Sequence, residues 1–295
     1  MTPIRQPMVV TPPATARRLI VDQLRRDNAI LSHMPDPLFE LIADQLTPEL
    51  MPLGVVIAPL MPVRSVDFPL DGLFAMVSLL SDGATIEVAA DGRLGLLGVS
   101  VIMDEDSEAT ELRVVIAGSA LRIRPAVLRA TMELHPALRT NLARIVPTLM
   151  ARMSQTIACS ARHSVEQRAA RWLLCASADI GSPALAVTQE VVANMLGVRR
   201  AGISEIIGRW SDAGLVTTHR SQIVIKDLPR LETRACECYY QDQRARGRRS
   251  AEFAPPTPER AAAVHGLIRR YAALSGKNMA VRQIALGTRV LPRMG

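Results

Sequence analysis

Two adjacent arginines, Arg199 and Arg200, set two residues after Gly197, have the clearest chemical reach in this sequence. Arginines at the start of a helix present planar donors that can grip a guanine edge or a phosphate. Other reactive residue types are scattered. His33, His135, His163, His219 and His265 lie far apart, and an isolated histidine reads as structural. Asp104-Glu105-Asp106 falls in a polar turn and reads as solvated. There is no glycine-rich phosphate loop and no nucleophile elbow, so no catalytic residue is assigned and an enzyme is not expected. The cysteines are Cys159, Cys175, Cys236 and Cys238, too few to staple a secreted domain. Cys236-Glu237-Cys238 is tighter than the usual two-residue metal spacing, and no second pair lies nearby in the chain. The cysteines are therefore expected to be structural, with no metal and no cofactor.

The arginine pair needs an element to aim it. From Gln189 to Ser211 the sequence predicts a helix-turn-helix. Thr188 is a suitable N-cap and Glu190 lies in the first turn, at the positive end of the helix. Ala193 is small where two helices must cross closely. Gly197, four residues on, suits the left-handed turn between them. Ile203 and Ile206 recur at the spacing that buries the second helix. The outward face then carries Arg199, Arg200, Ser204, Glu205 and Arg209. After Gly214, residues Thr217 to Ile225 read as a β-hairpin wing with His219 and Arg220 at or near its tip. The candidate DNA-binding set is therefore Thr188, Gln189, Arg199, Arg200, Ser204, Glu205, Arg209, His219 and Arg220.

Upstream, residues 1–26 are rich in Pro, Thr and Arg and read as mostly disordered, with a short amphipathic helix within Arg17 to Arg26. Short helices follow to Leu46, parted by Pro35 and Pro37. From Met51 to Arg124, apolar runs at Leu53–Ile57, Ser65–Phe68, Leu73–Leu80, Ala84–Ala89, Leu112–Ile116 and Ala120–Arg124 fit strands. Asp71-Gly72, Ser81-Asp82-Gly83, Asp91-Gly92 and Ala117-Gly118 supply turns, and such spacing argues for a barrel or jelly-roll sandwich. Residues 136–159 read as one long helix. Leu138, Leu142, Ile145, Leu149 and Met153 recur at spacings of four and three, either a dimer seam or a face packed on its own domain; the narrow stripe favours the dimer interface. Pro147 stands against a continuous helix. Ser164-Val165-Glu166-Gln167 is a capping box opening a helix from Val165 to Ala178.

Charge adds less than it promises. The net +7 of the 295 residues lies in the last 55, where 11 basic face 3 acidic side chains, against a net −1 for residues 1–240. Residues 27–159 carry 9 basic and 16 acidic groups, and residues 160–240 carry 10 and 8, so any DNA contact rests on local placement. With no apolar run long enough to span a bilayer and no secretory signal, a cytoplasmic protein is expected.

The order of β-roll, long helix, then Val187-Thr-Gln-Glu…Met-Leu-Gly-Val-Arg-Arg-Ala, with Cys159-Ser-Ala-Arg-His-Ser-Val-Glu-Gln-Arg and Ala235-Cys-Glu-Cys-Tyr, resembles the Crp/Fnr superfamily of bacterial transcription regulators over residues 28–240. The resemblance implies an α+β chain. A cyclic-nucleotide-binding-like β-roll (27–135) would lead through a dimerisation helix (136–159) to a winged helix-turn-helix (160–240). A basic C-terminal extension (241–295), in which Glu259 to Leu274 could form a helix, lies beyond it and is read as a flexible tail or a phosphate-binding arm. It further implies a homodimer on palindromic double-stranded DNA, Arg200 as a base-reading residue, and RNA polymerase as a further partner. Departures accompany it. The family's nucleotide-binding members carry Gly-Glu and, about ten residues on, Arg-Ser or Arg-Thr; here Gly98 is followed by Val99, and the later step is Ala109-Thr110 flanked by Glu108 and Glu111. A phosphodiester would meet carboxylates, so cAMP is not the expected effector. The competing reading is a cyclic-nucleotide-type sensor acting through a protein partner rather than DNA.

Overall fold

The computed structural model describes residues 14–58, 62–107, 110–250 and 257–275. Residues 1–13, 59–61, Glu108 and Ala109, 251–256 and 276–295 lie outside it. Helix α1 (Ala14–Leu24) overlaps the short helix expected within Arg17 to Arg26, starts three residues earlier, and buries Ile20, Val21 and Leu24 in the core. Short helices α2 (Ala29–His33) and α3 (Asp36–Ala43) follow. Pro35 separates them, as expected, because a residue before proline is held extended and its own fixed φ suits a helix start.

The β-rich domain is one antiparallel sheet ordered β1-β5-β3-β4, with β2 also on β5. Its strands are β1 (Thr47–Met51), β2 (Val56–Ala58), β3 (Val66–Leu79), β4 (Thr85–Asp91) and β5 (Glu111–Ile123). Two expected turns are absent. Asp71-Gly72 and Ala117-Gly118 sit inside the long strands β3 and β5, which cross there. Gly72 has φ +84°, and a Cβ on Gly118 would lie 2.4 Å from the Asp71 carbonyl oxygen and 2.6 Å from Gly72 Cα. The glycines permit close backbone contact and not chain reversal, a distinction composition does not carry. The register shifts at this point, and a one-residue shift exchanges the faces of a strand. Val66, Phe68 and Leu70 therefore point into the first core, and Leu73, Ala75 and Val77 into a second.

Helices α4 (Pro125–Leu134), α5 (Pro136–Ala143) and α6 (Val146–Arg162) come next. The single helix expected over 136–159 is thus broken at Arg144 and Ile145. Pro147 is the reason: lacking an N–H and clashing with a preceding carbonyl, it is tolerated in the first turn of α6 but not inside a helix. The proposed dimer stripe is also redirected. Leu138, Leu142, Ile145 and Leu149 are buried in the chain's own first core, and Met153 packs against it. On this chain Leu138, Leu142, Ile145 and Leu149 therefore face inward, and Met153 is half-buried.

The second half consists of α7 (Val165–Ile180), β6 (Ala184–Leu185), α8 (Gln189–Leu196), α9 (Arg200–Asp212), β7 (Val216–His219), β8 (Gln222–Ile225) and α10 (Leu228–Glu232). The capping box closes as expected: Gln167 N–H donates to Ser164 Oγ at 3.3 Å, and Ser164 N–H to Gln167 Oε1 at 3.0 Å. Helix α11 (Cys238–Ser250) then packs on α6 and α7.

The C-terminal extension departs most from expectation. Helix α12 (Pro258–Leu274) is not a free tail. It lies on α1 and β1 and buries Val264, Ile268 and Tyr271 in the first core. Arg260 Nε donates to Asp27 at 2.7 Å, Arg17 donates to the Tyr271 hydroxyl at 2.8 Å, and His265 pairs with Asp71 at 2.8 Å. Arg244 is exposed on α11, while the side chains of Arg246, Arg248 and Arg249, and Pro255-Pro256, lie outside the described residues. Among the described residues no helix is long and apolar enough to cross a membrane. Because Ile268 is fully buried, Ile268→Ala should lower stability by about 2–5 kcal/mol in equilibrium denaturation. A change within about 0.5 kcal/mol, the range of ordinary surface substitutions, would detach α12 from the core.

Candidate nucleic-acid interface

The helix-turn-helix forms where the sequence places it. Thr188 Oγ1 accepts from Val191 N–H at 3.2 Å and caps α8; Gly197, at φ +63°, turns the chain. Ala193, Ile203 and Ile206 are buried between α8 and α9, with Trp210 beneath them. Trp210 Nε1 donates to Glu166 Oε1 at 3.0 Å, which ties α9 to α7. Arg168 donates to the Leu196 carbonyl at 2.6 Å and closes the end of α8.

The candidate contact residues divide into two groups. Arg199 and Arg200 are exposed at the N-terminal end of α9, and Ala201 stands beside them. His219 and Arg220 are exposed at the wing tip, where His219 pairs with Gln222 across the two-residue turn Arg220-Ser221. The second group is engaged within the chain. Arg209 pairs with Glu205 at 3.0 Å and Glu166 at 3.1 Å, and Ser204 Oγ donates to Gln189 Oε1 at 2.7 Å. Those four side chains brace the two helices against each other and against α7, in addition to any outward contact. Their spacing reported exposure on a helix face, but not the neighbour that each meets.

This half does not stand apart from the β-rich domain. Ala169, Trp172, Leu173 and Ala176 of α7 share the second core with Leu73, Ala75, Val77, Val115 and Ile116. The turn of the helix-turn-helix rests on the β4 hairpin: a Cβ at Gly197 would meet Ile86 Cγ1 at 3.0 Å. Polar groups line the same seam. Trp172 Nε1 donates to Glu87 Oε2 at 2.8 Å, and Arg152 of α6 pairs with Asp91 and donates to the Ala90 carbonyl at 3.2 Å. Asp242 of α11 accepts from Cys175 Sγ at 3.2 Å. Burial pushes the Glu87 carboxyl up to about 7, with Asp179 and Asp242 adding to the rise and the Trp172 hydrogen bond and Arg171 opposing it. No shared site was read for these residues from the sequence, since their common position arises only when β4 meets α7.

The expectation about the cysteines also needs correction. Cys236 and Cys238 are not alone: the fold brings Cys159 and His163 to them. The readable signal was the four-residue step from Cys159 to His163, which puts both on one face at the end of α6. Cys175 lies elsewhere, against Asp242.

A helix-turn-helix followed by a two-stranded wing is a winged-helix arrangement, here carried by a β-rich domain. Comparison with known proteins narrows this. Residues 167–234 match the model of the Crp-like helix-turn-helix domain. Among solved structures, a Crp/Fnr-family chain from Eubacterium rectale superposes with a TM-score of 0.55 at 21% identity, covering 68% of this chain and 95% of that one. FixK2 from Bradyrhizobium japonicum gives 0.54 at 17%, covering 65% and 98%. The CRP-family transcriptional regulator TTHB099 from Thermus thermophilus gives 0.54 at 20%, covering 63% and 96%. No curated protein matches the sequence significantly. Residues 167–234 are thus similar to a Crp-like helix-turn-helix domain, and the chain shares the fold of those solved structures.

The seam makes stability depend on pH. An acid whose proton is held more tightly in the folded state gives stability that is full below its ordinary value, near 4.5, and is lost as pH rises through about 7. The melting temperature should therefore fall across that window, and Glu87→Gln should flatten the fall and raise stability at pH 8. Thermal unfolding of both chains from pH 4 to 8 checks this; parallel curves would remove Glu87 as the cause.

Proposed function

We propose that the chain is a sequence-specific transcription regulator that binds a palindromic DNA site as a homodimer. The observation that carries this reading is the pair Arg199 and Arg200, exposed together at the leading end of α9, with the His219–Arg220 wing tip on the same domain. In the winged-helix mode that end of the second helix enters the major groove, Arg200 reads a guanine, and the wing meets phosphate. Arg209, Glu205, Ser204 and Gln189 act chiefly by holding α9 at its angle, and Thr188 by capping α8.

The dimer contact moves to another face of α6. Pro147, Met150, Ser154, Ile157 and Ala161 are exposed and follow one another at spacings of three, four, three and four. That is a coiled-coil seam, uncharged along its length, with Met150 63% and Ile157 68% exposed. A second copy of the same helix is the occupant that such a self-complementary stripe fits. The β-rich domain answers to something other than cAMP. Val99, where nucleotide-binding relatives carry Glu, is buried, and the acidic turn beside it is clamped by Arg139 to Asp104 at 2.5 Å and Arg129 to Asp106 at 2.9 Å.

Selection from random DNA with the purified chain and no effector should return inverted repeats with half-sites about one helical turn apart. Arg200→Ala should weaken binding to them by about 1–3 kcal/mol and relax one base pair per half-site. A variant that keeps the parent's preference at every position would refute that role. Replacing Met150 and Ile157 by Asp together should turn the dimer into a monomer in sedimentation and lower affinity for the two-half-site DNA by at least about tenfold. A dimer that survives the double change places the seam elsewhere.

A further inference from the structure

We propose that Cys159, His163, Cys236 and Cys238 form a tetrahedral zinc site that fastens the end of α6 to the start of α11. The four candidate ligand atoms lie within 4.8 Å of one another. Cys159 Sγ and Cys236 Sγ are 3.6 Å apart, and Cys238 Sγ is 3.5 Å from His163 Nδ1. Around one Zn²⁺ with bonds of about 2.3 Å to sulfur and 2.0–2.1 Å to nitrogen, tetrahedral corners lie about 3.8 Å apart for two sulfurs and about 3.5 Å for sulfur and nitrogen. These two edges match those of a coordination shell, and the remaining pairs lie within 4.8 Å. They are too long for a disulfide, whose sulfurs sit about 2.05 Å apart, and all four cysteines are free.

The surroundings fit an ion rather than ordinary cysteine packing. Cys159, Cys236 and Cys238 form a small buried cluster of their own, apart from the apolar cores on either side. His163 is oriented as a metal ligand needs: Nδ1 faces the sulfurs while Nε2 meets the Glu237 carboxylate at 3.1 Å. A carboxylate on the far nitrogen holds the proton there and leaves Nδ1 free to coordinate. Gln155 Nε2 donates to Cys238 Sγ at 2.8 Å, the hydrogen bond that a coordinated thiolate accepts. Backbone order supports the same arrangement. Cys159 and His163 are one turn apart at the end of α6, where His163 N–H closes on the Cys159 carbonyl at 3.1 Å. Cys236 stands two residues before α11, and Cys238 is its first residue. Four protein ligands with no open position describe a structural site, not a catalytic one. Loading it would release up to three thiol protons and leave a shell with one net negative charge, near Arg171 of α7.

The test uses the full chain, purified under reducing conditions and measured for metal by mass spectrometry. About one zinc per chain is expected, falling below about one-tenth in Cys236→Ser and unchanged in Cys175→Ser. Replacing zinc by Co²⁺ should give the intense visible d–d bands of a tetrahedral site with three sulfurs, together with sulfur-to-cobalt charge transfer in the near ultraviolet. The cobalt experiment needs no variant, so it decides the matter even if Cys236→Ser does not fold. A folded, reduced chain that takes up neither ion from excess would overturn the proposal. So would acid-labile sulfide with iron, which would make this a cluster site, or a Cys159–Cys236 disulfide in freshly prepared protein.

Discussion

Where β3 crosses β5 at Gly72 and Gly118, the two backbones come closer than any side chain allows, since a Cβ on either glycine would overlap the other strand. The rest of the molecule depends on that contact. By shifting the register it lets one sheet serve two cores in succession, the upstream half facing α1, α3, α4 and α12, and the downstream half facing α7. An ordinary hairpin at either glycine would have left the strands half as long and the reading domain without a platform. The cost of a side chain there would be both backbone overlap and, at Gly72, a strained left-handed φ.

The DNA-reading half is consequently positioned by burial more than by its connection through α6. Apolar area shared between α7 and the sheet is indifferent to direction, so it needs polar contacts to fix one orientation. Trp172 on Glu87 and Arg152 on Asp91 supply them at the edge of the shared core. Glu87 is a weak point in that arrangement. A carboxyl favoured in its neutral form loses its advantage once it ionises, and the turn at Gly197, resting on Ile86, lies on the same strand. A change that loosens β4 would reach the turn between α8 and α9 directly, without passing through α6.

Much of the reading head was legible in the sequence because its constraints are local. A cap at Thr188, a left-handed glycine at 197 and the step from Ile203 to Ile206 each act within a few residues, and the structure reproduces them. What failed were inferences that required knowing which surface lies opposite. The stripe from Leu138 to Leu149 has the spacing of a seam, but spacing says only that one face is apolar, and the chain's own first core takes that face. The basic tail looked free because its arginines dominated its composition. Val264, Ile268 and Tyr271, which bind α12 to the core, recur at spacings of four and three but are only three residues. The cysteine pair looked isolated because its complement stands some 75 positions upstream.

Helix α6 is where these separate contacts meet, and its faces show why it cannot be replaced by a generic linker. Leu149 closes the first core, Arg152 reaches β4, Cys159 and His163 face α11, and Met150 and Ile157 face outward. Seventeen residues make fewer than five turns, so these faces are rigidly phased. Rotating the helix by one residue, about 100°, would take Arg152 off Asp91 and turn the outward seam toward the sheet. Pro147 sets that phase by starting the helix anew, independent of α5. The break that counts against a continuous dimer helix is thus what allows α6 to adopt its own rotation, with the exposed stripe, the seam to β4 and the thiol cluster all in register.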